Sequence, residues 1–311
     1  MRRSIIIILA VIAIGISFLS FGLRNMVGRR SSQLMDKLDS ENMKDLLGKA
    51  RSYYEQKEYD DAIRYYNNYI RRFPESEPAR DAILAVADIY KRKNEDIKLR
   101  EELKRFASLY PADPRIKEVA KEIEELNIKI LFSDIITEES FRYEIKPGDT
   151  LQKIASRFNT TVGLLKRGND LKSDIIFPGK YLKVSKIKFF ILVDKSKNIL
   201  ELKKRDGETI KTYEVATGEN FDTPEGTFKI EEKMISPPWY KVGAIVKPDS
   251  PDYELGTRWM GLSIEGYGIH GTNDETSIGK YVTNGCIRMR NSDVETLYDI
   301  VPSGTEVTIV K

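Results

Sequence analysis

Cysteine and histidine are almost absent from this sequence: among 311 residues there is one of each, Cys286 and His270. A single cysteine excludes an intramolecular disulfide and leaves an unpaired thiol that is a candidate for reactivity. A zinc ion usually takes three or four protein ligands, so one histidine and one cysteine leave such a site short of ligands. We therefore predict that the protein holds no metal.

An excess of one charge sign is also lacking. The chain carries 51 Lys and Arg residues against 48 Asp and Glu residues, for a formal net charge of +3. The basic residues are scattered rather than gathered in a stripe, so nucleic acid is not an expected partner. With 41% hydrophobic and 32% charged residues the composition is typical of a globular protein, and the length allows two or three domains.

Charged residues are missing altogether from the run SIIIILAVIAIGISFLSFGL, Ser4 to Leu23. A helix of this length rises about 30 Å, which is enough to cross a bilayer. A cleaved signal peptide has a shorter apolar region of roughly 7–15 residues and a small-residue cleavage site, which this run lacks. We therefore expect residues 1–30 to form a membrane anchor, with a signal peptide as the alternative. Arginines flank both ends of the run, so charge does not fix its orientation.

Glycine is nearly absent between residues 41 and 132, where charged and apolar residues mix at helical spacing. The motif AxxY at Ala50–Tyr53 recurs 37 residues later, and so does Pro74, as Pro111. This pattern resembles a pair of tetratricopeptide-like repeats, whose usual period is about 34 residues. The resemblance implies an α-helical domain, which we assign to residues 31–134.

Three positions of the first repeat are expected to shape its packing. Ala62 would lie where two helices approach closely, with Tyr66 and Tyr69 in the groove between them. Two repeats rarely suffice alone, so the segment Pro114–Leu131 is expected to cap them. A helical spacer and a docking surface for a protein partner both remain open, because fold does not fix function.

Residues 143–184 read YEIKPGDTLQKIASRFNTTVGLLKRGNDLKSDIIFPGKYLKV, which predicts a strand, two short helices and a closing strand. This β-α-α-β order and the motif YxIxxGDTLxxIAxxF resemble a LysM domain. The resemblance implies binding of N-acetylglucosamine chains, such as bacterial wall glycan, in a groove between two loops. A small packing module is the alternative. The expected glycan-binding residues are those of the two loops: Gly148, Asp149, Thr150, Leu151, Ile176, Phe177, Pro178 and Gly179.

Residues 187–311 turn to alternating apolar and polar positions, which predict strands. Asp206-Gly207 marks a hairpin. The only convincing helix is SDVETLYDIV, where Ser292 and Glu295 have the spacing of a capping box. We therefore predict a mainly antiparallel β-domain, built as a sandwich or an open barrel.

The lone His270 and Cys286 both lie beside glycines in this β-domain. A neighbouring imidazole can take the proton of a thiol and so generate the nucleophilic thiolate, provided that a third group orients the ring. Gly271 leaves its carbonyl open to accept a ring N–H, and the amides of Gly285 and Cys286 could face an oxyanion. A buried inert cysteine and a structural histidine are the alternative interpretation.

The segments YGIHGTND and VTNGCIRMRN around this pair resemble the catalytic signature of the L,D-transpeptidase family, the YkuD-type domain. The segments FDTPEGTFKI, PPWY, GTRWMGL and PSGTEVTIV extend the resemblance over residues 187–311. It implies a β-sandwich-like catalytic domain that uses no metal and no organic cofactor. It also implies a cysteine that attacks a cell-wall stem tetrapeptide, releases D-alanine and forms a thioester. An amine of another stem peptide then resolves the thioester into a 3→3 cross-link.

By this resemblance Cys286 is the nucleophile, His270 is the base that later returns a proton, and Gly271 supplies the orienting carbonyl. Asn284 departs from the family pattern, which often has histidine there, and asparagine does not titrate near neutral pH. That departure leaves the positioning of the acceptor open, and core packing is the alternative role for the aromatic residues. The further residues expected at the oxyanion or the substrate are Gly285, Asn284, Thr283, Arg288, Tyr267, Trp239 and Tyr240.

These modules predict a peptidoglycan L,D-transpeptidase of the bacterial cell envelope, anchored in the inner membrane with its domains on the outer side. Its partners would be peptidoglycan stem peptides and glycan strands. Three alternatives stay open. The thioester could be resolved by water, which would make the protein an L,D-carboxypeptidase, or it could attach a lipoprotein to the wall. The chain could also be a wall-binding scaffold without catalysis.

Overall fold

The computed structural model describes residues 37–219, 222–241, 244–248, 250 and 253–311. The chain divides into two compact units, one up to Ile116 and one from Lys117 to Lys311. The expected anchor, residues 1–30, lies outside the described residues. None of the helices in the described ranges has the length and the apolar character that a bilayer crossing requires.

The first unit consists of helices, as the near absence of glycine predicts. The 37-residue repeat is visible in its backbone, because Glu58 N–H bonds to Tyr53 O and Glu95 N–H bonds to Tyr90 O, both at 2.9 Å. Ala62, Tyr66 and Tyr69 are buried, and α2 packs on α3, which packs on α4. The helices are α1 (residues 37–55), α2 (Tyr59–Arg72), α3 (Glu77–Arg92) and α4 (Asp96–Leu109).

The LysM-like unit has two strands and two helices with a small core of its own. Strand β1 (Ser140–Glu144) pairs antiparallel with β2 (Tyr181–Ser185), and α6 (Leu151–Phe158) and α7 (Val162–Arg167) lie between them in the chain. Each helix begins after a threonine whose side chain accepts a backbone N–H of the first turn. The core residues are Ile145, Leu151, Ile154, Ala155, Leu165, Leu182 and Val184.

The rest of the second unit is built on one mixed, curled sheet of eight strands. Its spatial order is β13-β11-β10-β7-β14-β3-β4-β5, and only β11–β13 and β14–β3 are parallel pairs. Two-stranded sheets β6–β12 and β8–β9 lie beside it. The elements are β3 (Phe189–Asp194), β4 (Ile199–Lys204), β5 (Thr209–Glu214), β6 (Thr217–Gly218), β7 (Gly226–Ile235), β8 (Trp239–Lys241), β9 (Ala244–Val246), β10 (Arg258–Leu262), β11 (Gly268–His270), β12 (Tyr281–Thr283), β13 (Ile287–Arg288), α8 (Asn291–Ile300) and β14 (Glu306–Val310).

The prediction of a β-sandwich was wrong. Alternation along the strands correctly indicated that one sheet face is buried, but it carries no information about what covers that face. The covering element is α8, whose Val294, Leu297 and Ile300 are fully buried in the same cluster as Ile191, Ile230 and other strand residues. A helix thus takes the place of the second sheet.

Helix α5 (Ile116–Leu131), the segment expected to cap the repeats, packs within the second unit. Its Leu131 belongs to the core cluster of the eight-stranded sheet. Asn127 Nδ2 donates to Ile210 O on β5 at 3.1 Å, and Thr212 Oγ1 donates to Glu124 Oε1 at 2.7 Å. These contacts hold the helix against the sheet.

Candidate active site

His270 ends strand β11 and is buried, with 3% of its surface exposed. Its Nδ1 lies 2.7 Å from the carbonyl oxygen of Gly271. A carbonyl can only accept a hydrogen bond, so Nδ1 carries the proton and the lone pair of the neutral ring is on Nε2. The ring therefore offers the nitrogen that a general base requires.

Burial controls the charge of His270. The pKa of the imidazole is lowered to about 4, mainly because burial disfavours the charged ring and further because Arg288 is near. Hydrogen bonds to the backbone of Gly271 and Leu255 act in the opposite direction. The indole of Trp259 stacks on the imidazole, with ring centroids 5.7 Å apart. The neutral ring is the resting form at pH 7, and backbone acceptors are in place for the protonated ring.

Asn291, at the start of α8, holds the histidine loop, a role that the sequence reasoning missed. Its Oδ1 accepts a hydrogen bond from Thr257 N–H at 3.0 Å. A Cβ at Gly271 would come within 2.2 Å of that oxygen, and a Cβ at Gly256 within 2.3 Å. Both positions therefore require glycine. The only signal in the sequence was the glycine that follows the histidine directly.

Cys286 directly precedes β13, which lies beside β11 as a parallel strand. In this pair Ile269 lies opposite Ile287, and His270 lies opposite Arg288. His270 and Arg288 therefore share one face of the pair, and the Cys286 thiol is near enough to Arg288 and to the Gly268 backbone for both to act on its pKa. The fold thus brings the cysteine to the start of the strand that pairs with the histidine strand.

The thiol of Cys286 is half-buried and bonds weakly to Gly266 O, with Sγ and oxygen 3.6 Å apart. Burial raises the pKa of this thiol above its ordinary value, while the Gly268 backbone and the Arg288 guanidinium act in the opposite direction. A raised thiol pKa and a lowered imidazole pKa both favour the neutral pair at rest.

Thr283 holds the turn that leads into Cys286. Its Oγ1 donates to Cys286 O at 2.7 Å and accepts Gly285 N–H at 3.2 Å. Gly285 has a φ of 104°, and a Cβ there would lie 2.5 Å from Tyr267 Cε1. The Gly285 amide, expected at the oxyanion, is therefore already bonded. The Cys286 N–H has no acceptor within the described part of the chain.

Buried polar side chains behind this turn were also missed from the sequence. Thr217 Oγ1 donates to Asn198 Oδ1 at 2.7 Å, and Gly218 N–H donates to Thr223 Oγ1 at 2.8 Å. A Cβ at Gly218 would approach Gly285 Cα to 3.1 Å. Only Thr223 lies in a segment that the family resemblance marks, because the others come from short scattered strands without a motif.

The remaining expected site residues differ in what they contact. Arg288 Nη2 pairs with Glu254 Oε2 at 3.3 Å, and 12% of the Arg288 side chain is exposed. Asn284 is exposed at the tip of the cysteine turn. The backbones of Trp239 and Tyr240 form β8, and their side chains lie outside the described part of the structure.

The two expected glycan-binding loops lie side by side. Some of their residues hold the loops in place, and others are exposed. Ile145 O accepts Gly179 N–H at 2.9 Å, which joins the loops at their base. Asp149 is turned inward and accepts Lys146 N–H at 2.9 Å and Tyr143 OH at 2.7 Å. Leu151 is buried in the LysM-like core. Asp149 and Leu151 therefore build the turn rather than a binding surface.

Three large apolar side chains of this unit are exposed: Phe177 at 64%, Ile175 at 68% and Tyr181 at 61%. Gly148 and Gly179 are also open, with space around each Cα. Ile175 and Tyr181 were not in the expected set, although they flank it in sequence. An exposed apolar surface beside an uncrowded backbone suits an acetamido sugar.

The described residues supply no cluster of metal-ligating side chains at the His270–Cys286 pair. Across the described ranges, no group of three or more His, Cys, Asp and Glu side chains is placed to hold a metal ion. A cavity of about 850 Å³ lies between the LysM-like unit and α8, lined by residues such as Thr160, Lys233 and Tyr298.

Three known sequence families match the chain. The L,D-transpeptidase catalytic domain (YkuD) matches residues 188–309, the LysM domain residues 143–185, and the tetratricopeptide repeat residues 46–76. The first match contains His270 and Cys286, and the second contains both glycan-loop segments.

Similar curated proteins carry the same description. "Putative L,D-transpeptidase YkuD" of Bacillus licheniformis is 38% identical over 176 residues, which cover 54% of this chain and 97% of that protein. "Putative L,D-transpeptidase YqjB" of Bacillus subtilis is 43% identical over 126 residues, which cover 39% of this chain and 70% of that protein. Among solved structures, an L,D-transpeptidase from Mycobacterium smegmatis is 20% identical with a TM-score of 0.35, covering 43% of this chain and 64% of that one.

Proposed function

The chain belongs to the L,D-transpeptidase family, and from this premise we propose that it forms peptidoglycan cross-links through a thioester on Cys286. The observation that carries the proposal is the placement of a half-buried thiol directly before β13, the strand whose Arg288 lies opposite the buried, neutral His270. The substrate is the stem tetrapeptide of peptidoglycan.

In the first step the Cys286 thiol gives its proton to His270 Nε2, and sulfur attacks the carbonyl carbon between residues 3 and 4 of the stem. The Gly271 carbonyl keeps the proton of the neutral ring on Nδ1 and stabilises the imidazolium once it forms. The Cys286 N–H donates to the oxyanion of the tetrahedral intermediate.

The intermediate collapses by breaking the carbon–nitrogen bond. His270 Nε2 returns its proton to the leaving nitrogen, D-alanine departs, and the acyl group stays on sulfur as a thioester. An amine of a second stem peptide then attacks the thioester carbonyl and loses a proton to His270 as the carbon–sulfur bond breaks. The thiolate recovers the proton, and the product is a 3→3 cross-link.

The LysM-like unit supports the same substrate, because its open loops and exposed Phe177 suit a glycan strand. A glycan bound there raises the local concentration of stem peptides at Cys286. The enzyme then acts in the cell envelope, and the charge-free run Ser4–Leu23 supports an anchor in the inner membrane. Retention of the chain in alkali-washed membranes, and its release when residues 1–30 are deleted, would test the anchor.

The test of the reaction is incubation of the full-length chain with disaccharide-tetrapeptides, followed by mass spectrometry. Dimers that have lost one D-alanine are expected, and they should disappear with Cys286→Ala. Tripeptide and free D-alanine without dimers would instead assign the carboxypeptidase reaction, in which water resolves the same thioester. A tripeptide joined to an added lipoprotein amine, without dimers of stem peptides, would assign wall attachment.

A carbapenem, which acylates nucleophilic thiols, provides the control for a silent domain. Wild-type protein should gain the mass of one adduct on Cys286, and Cys286→Ala should gain none. An unmodified wild-type chain that also yields no product would reject catalysis and leave a wall-binding scaffold.

A further inference from the structure

The LysM-like unit is docked on the C-terminal end of α8 through the start of α7. Thr161 Oγ1 donates to the backbone carbonyl of Asp299. Arg167 Nη1 lies 3.4 Å from Asp299 Oδ2. Gly163 packs so closely that a Cβ there would lie 2.5 Å from Asp299 Oδ1 and 2.9 Å from Asp299 Cβ. Thr161 directly before α7, and Gly163 and Arg167 within it, therefore all contact a single residue of the catalytic domain.

A second contact lies under strand β2. Lys183 is 7% exposed, and its Nζ donates to Ile130 O at 2.7 Å and to Ser133 O at 2.7 Å, at the C-terminal end of α5. Helix α5 is in turn packed on the catalytic sheet through Asn127 and Leu131. A lysine at a helix C-terminus satisfies carbonyls that have no partner within the helix.

Adjacent leucines of α7 join the two cores. Leu164 belongs to the buried cluster of the catalytic sheet, whereas Leu165 belongs to the LysM-like cluster. Neither is more than 4% exposed. Beside the cavity of about 850 Å³, the junction is thus held by buried leucines and by hydrogen bonds, which is unlike a flexible tether between modules.

The docked face is different from the face expected to bind glycan. Phe177 and Tyr181 remain 64% and 61% exposed although Leu164, Leu165 and Lys183 are buried. The glycan loops therefore stay open while the unit is held in one orientation relative to β11 and β13.

We propose that this docking positions the bound glycan strand relative to Cys286, so that the enzyme selects stem peptides on polymeric glycan over free fragments. Gly163, Arg167, Lys183 and Asp299 are positioning residues in this role. The inference rests on the proposed function. A loose tether would only raise the local concentration, whereas a fixed junction also restricts which stem peptides along the strand reach the thiol.

The sharpest test is Gly163→Ala. Gly163 lies inside α7 without a positive φ, so alanine favours the helix itself while its Cβ collides with Asp299. Gly48→Ala is the matched control, because a Cβ there meets nothing within 4 Å. Both full-length variants are assayed for cross-linking on isolated sacculi and on soluble disaccharide-tetrapeptide, and for sedimentation with sacculi.

Gly163→Ala is expected to lower the rate on sacculi at least about fivefold, with the rate on soluble substrate and the sedimented fraction within about twofold of wild type. Gly48→Ala should match wild type in all three assays. Equal rates for both variants on both substrates, or an equal loss on both substrates, would overturn the proposal.

Asp299→Ala is the second variant, because it removes the Arg167 partner from the catalytic side and leaves every LysM-like residue unchanged. It should lower the rate on sacculi selectively, by a smaller factor, since the carbonyl that Thr161 contacts remains. Failure of the proposed function would look different: wild-type protein would then be inactive on both substrates.

Discussion

Two glycine turns of this protein look alike in sequence and differ in their surroundings. Gly148 in the LysM-like unit and Gly285 before Cys286 both have positive φ, 81° and 104°. Nothing lies within 4 Å of a Cβ at Gly148, whereas a Cβ at Gly285 would meet the Tyr267 ring at 2.5 Å. The first turn requires glycine for backbone conformation alone, and the second also requires it for packing. A glycine motif in the sequence therefore does not reveal whether packing, in addition to backbone conformation, requires the glycine.

The largest effect is expected for Gly285→Ala. The added methyl must displace Tyr267 or the turn, which would move Cys286 relative to His270, and misplacement of about 1 Å can cost about 100-fold in rate. We expect kcat/KM on soluble tetrapeptide to fall about 100-fold. A variant that keeps more than about a tenth of the wild-type rate would contradict this account of the turn.

Thr283→Val comes next, because it keeps the shape of the side chain and removes the hydroxyl. Cys286 O loses a donor and Gly285 N–H loses its acceptor, and an unsatisfied buried group costs about 1–3 kcal/mol. We expect kcat to fall at least about tenfold with KM little changed. Thr283→Ser keeps both hydrogen bonds and should stay within about threefold; an equal loss in Val and Ser would reject the role of the hydroxyl.

The two units also differ in what lowers the pKa of a titratable group. In the LysM-like unit, hydrogen bonds from Lys146 N–H and Tyr143 OH lower the pKa of Asp149. At the candidate active site, burial lowers the pKa of His270 to about 4. At pH 5.5 an ordinary histidine would be about 90% protonated, and a base of this kind would lose about tenfold in rate. We expect kcat/KM to remain near its plateau at pH 5.5 and to fall only near pH 4. An acid limb at pH 6.5 would contradict the buried neutral ring.

The lowered pKa of His270 also makes the stability of the fold depend on pH. The pKa of His270 is lower in the folded than in the unfolded chain, so protons favour unfolding below about pH 6.5. The stability contributed by the neutral ring is present above pH 6.5 and is lost progressively as the pH falls to about 4. Urea unfolding of wild type and His270→Gln should show a shallower acid decline in the variant.

The smallest effect is expected for Gly148→Ala. A side chain fits in the open turn, and only the positive φ opposes it, at a cost of about 1 kcal/mol. The free energy of unfolding should fall by about that amount while the rate on soluble tetrapeptide stays unchanged. A loss of soluble activity comparable to that of Gly285→Ala would remove the contrast between the turns.

Periodicity and glycine placement predicted much of the fold. The helical repeats, the β-α-α-β unit and the strands follow from local patterns, and the repeat appears in two equivalent backbone turns. The prediction of a sandwich was wrong because alternation indicates a buried sheet face but not which element packs against it. That element is α8. Likewise, Pro114–Leu131 carries an apolar stripe that says nothing about whether repeats or a sheet will bury it.

The site could be predicted only where chemistry is concentrated in rare residues. The sequence indicated a candidate site at two rare residues: a lone histidine followed by glycine and a lone cysteine preceded by glycine. Asn291, Leu255 and Asn198 could not be found in this way, because they act through contacts that tertiary folding creates between distant segments. The catalytic roles of His270 and Cys286 themselves await the experiments above.

Helix α8 has ten residues, with Asn291 under the histidine loop at one end and Asp299 under the LysM-like unit near the other. These contacts therefore fix both the length of the helix and the angle about its axis between Asn291 and Asp299. One inserted residue would lengthen the helix by about 1.5 Å and turn Asp299 by about 100° relative to Asn291. This helix therefore tolerates neither gain nor loss of a single residue while both ends stay engaged.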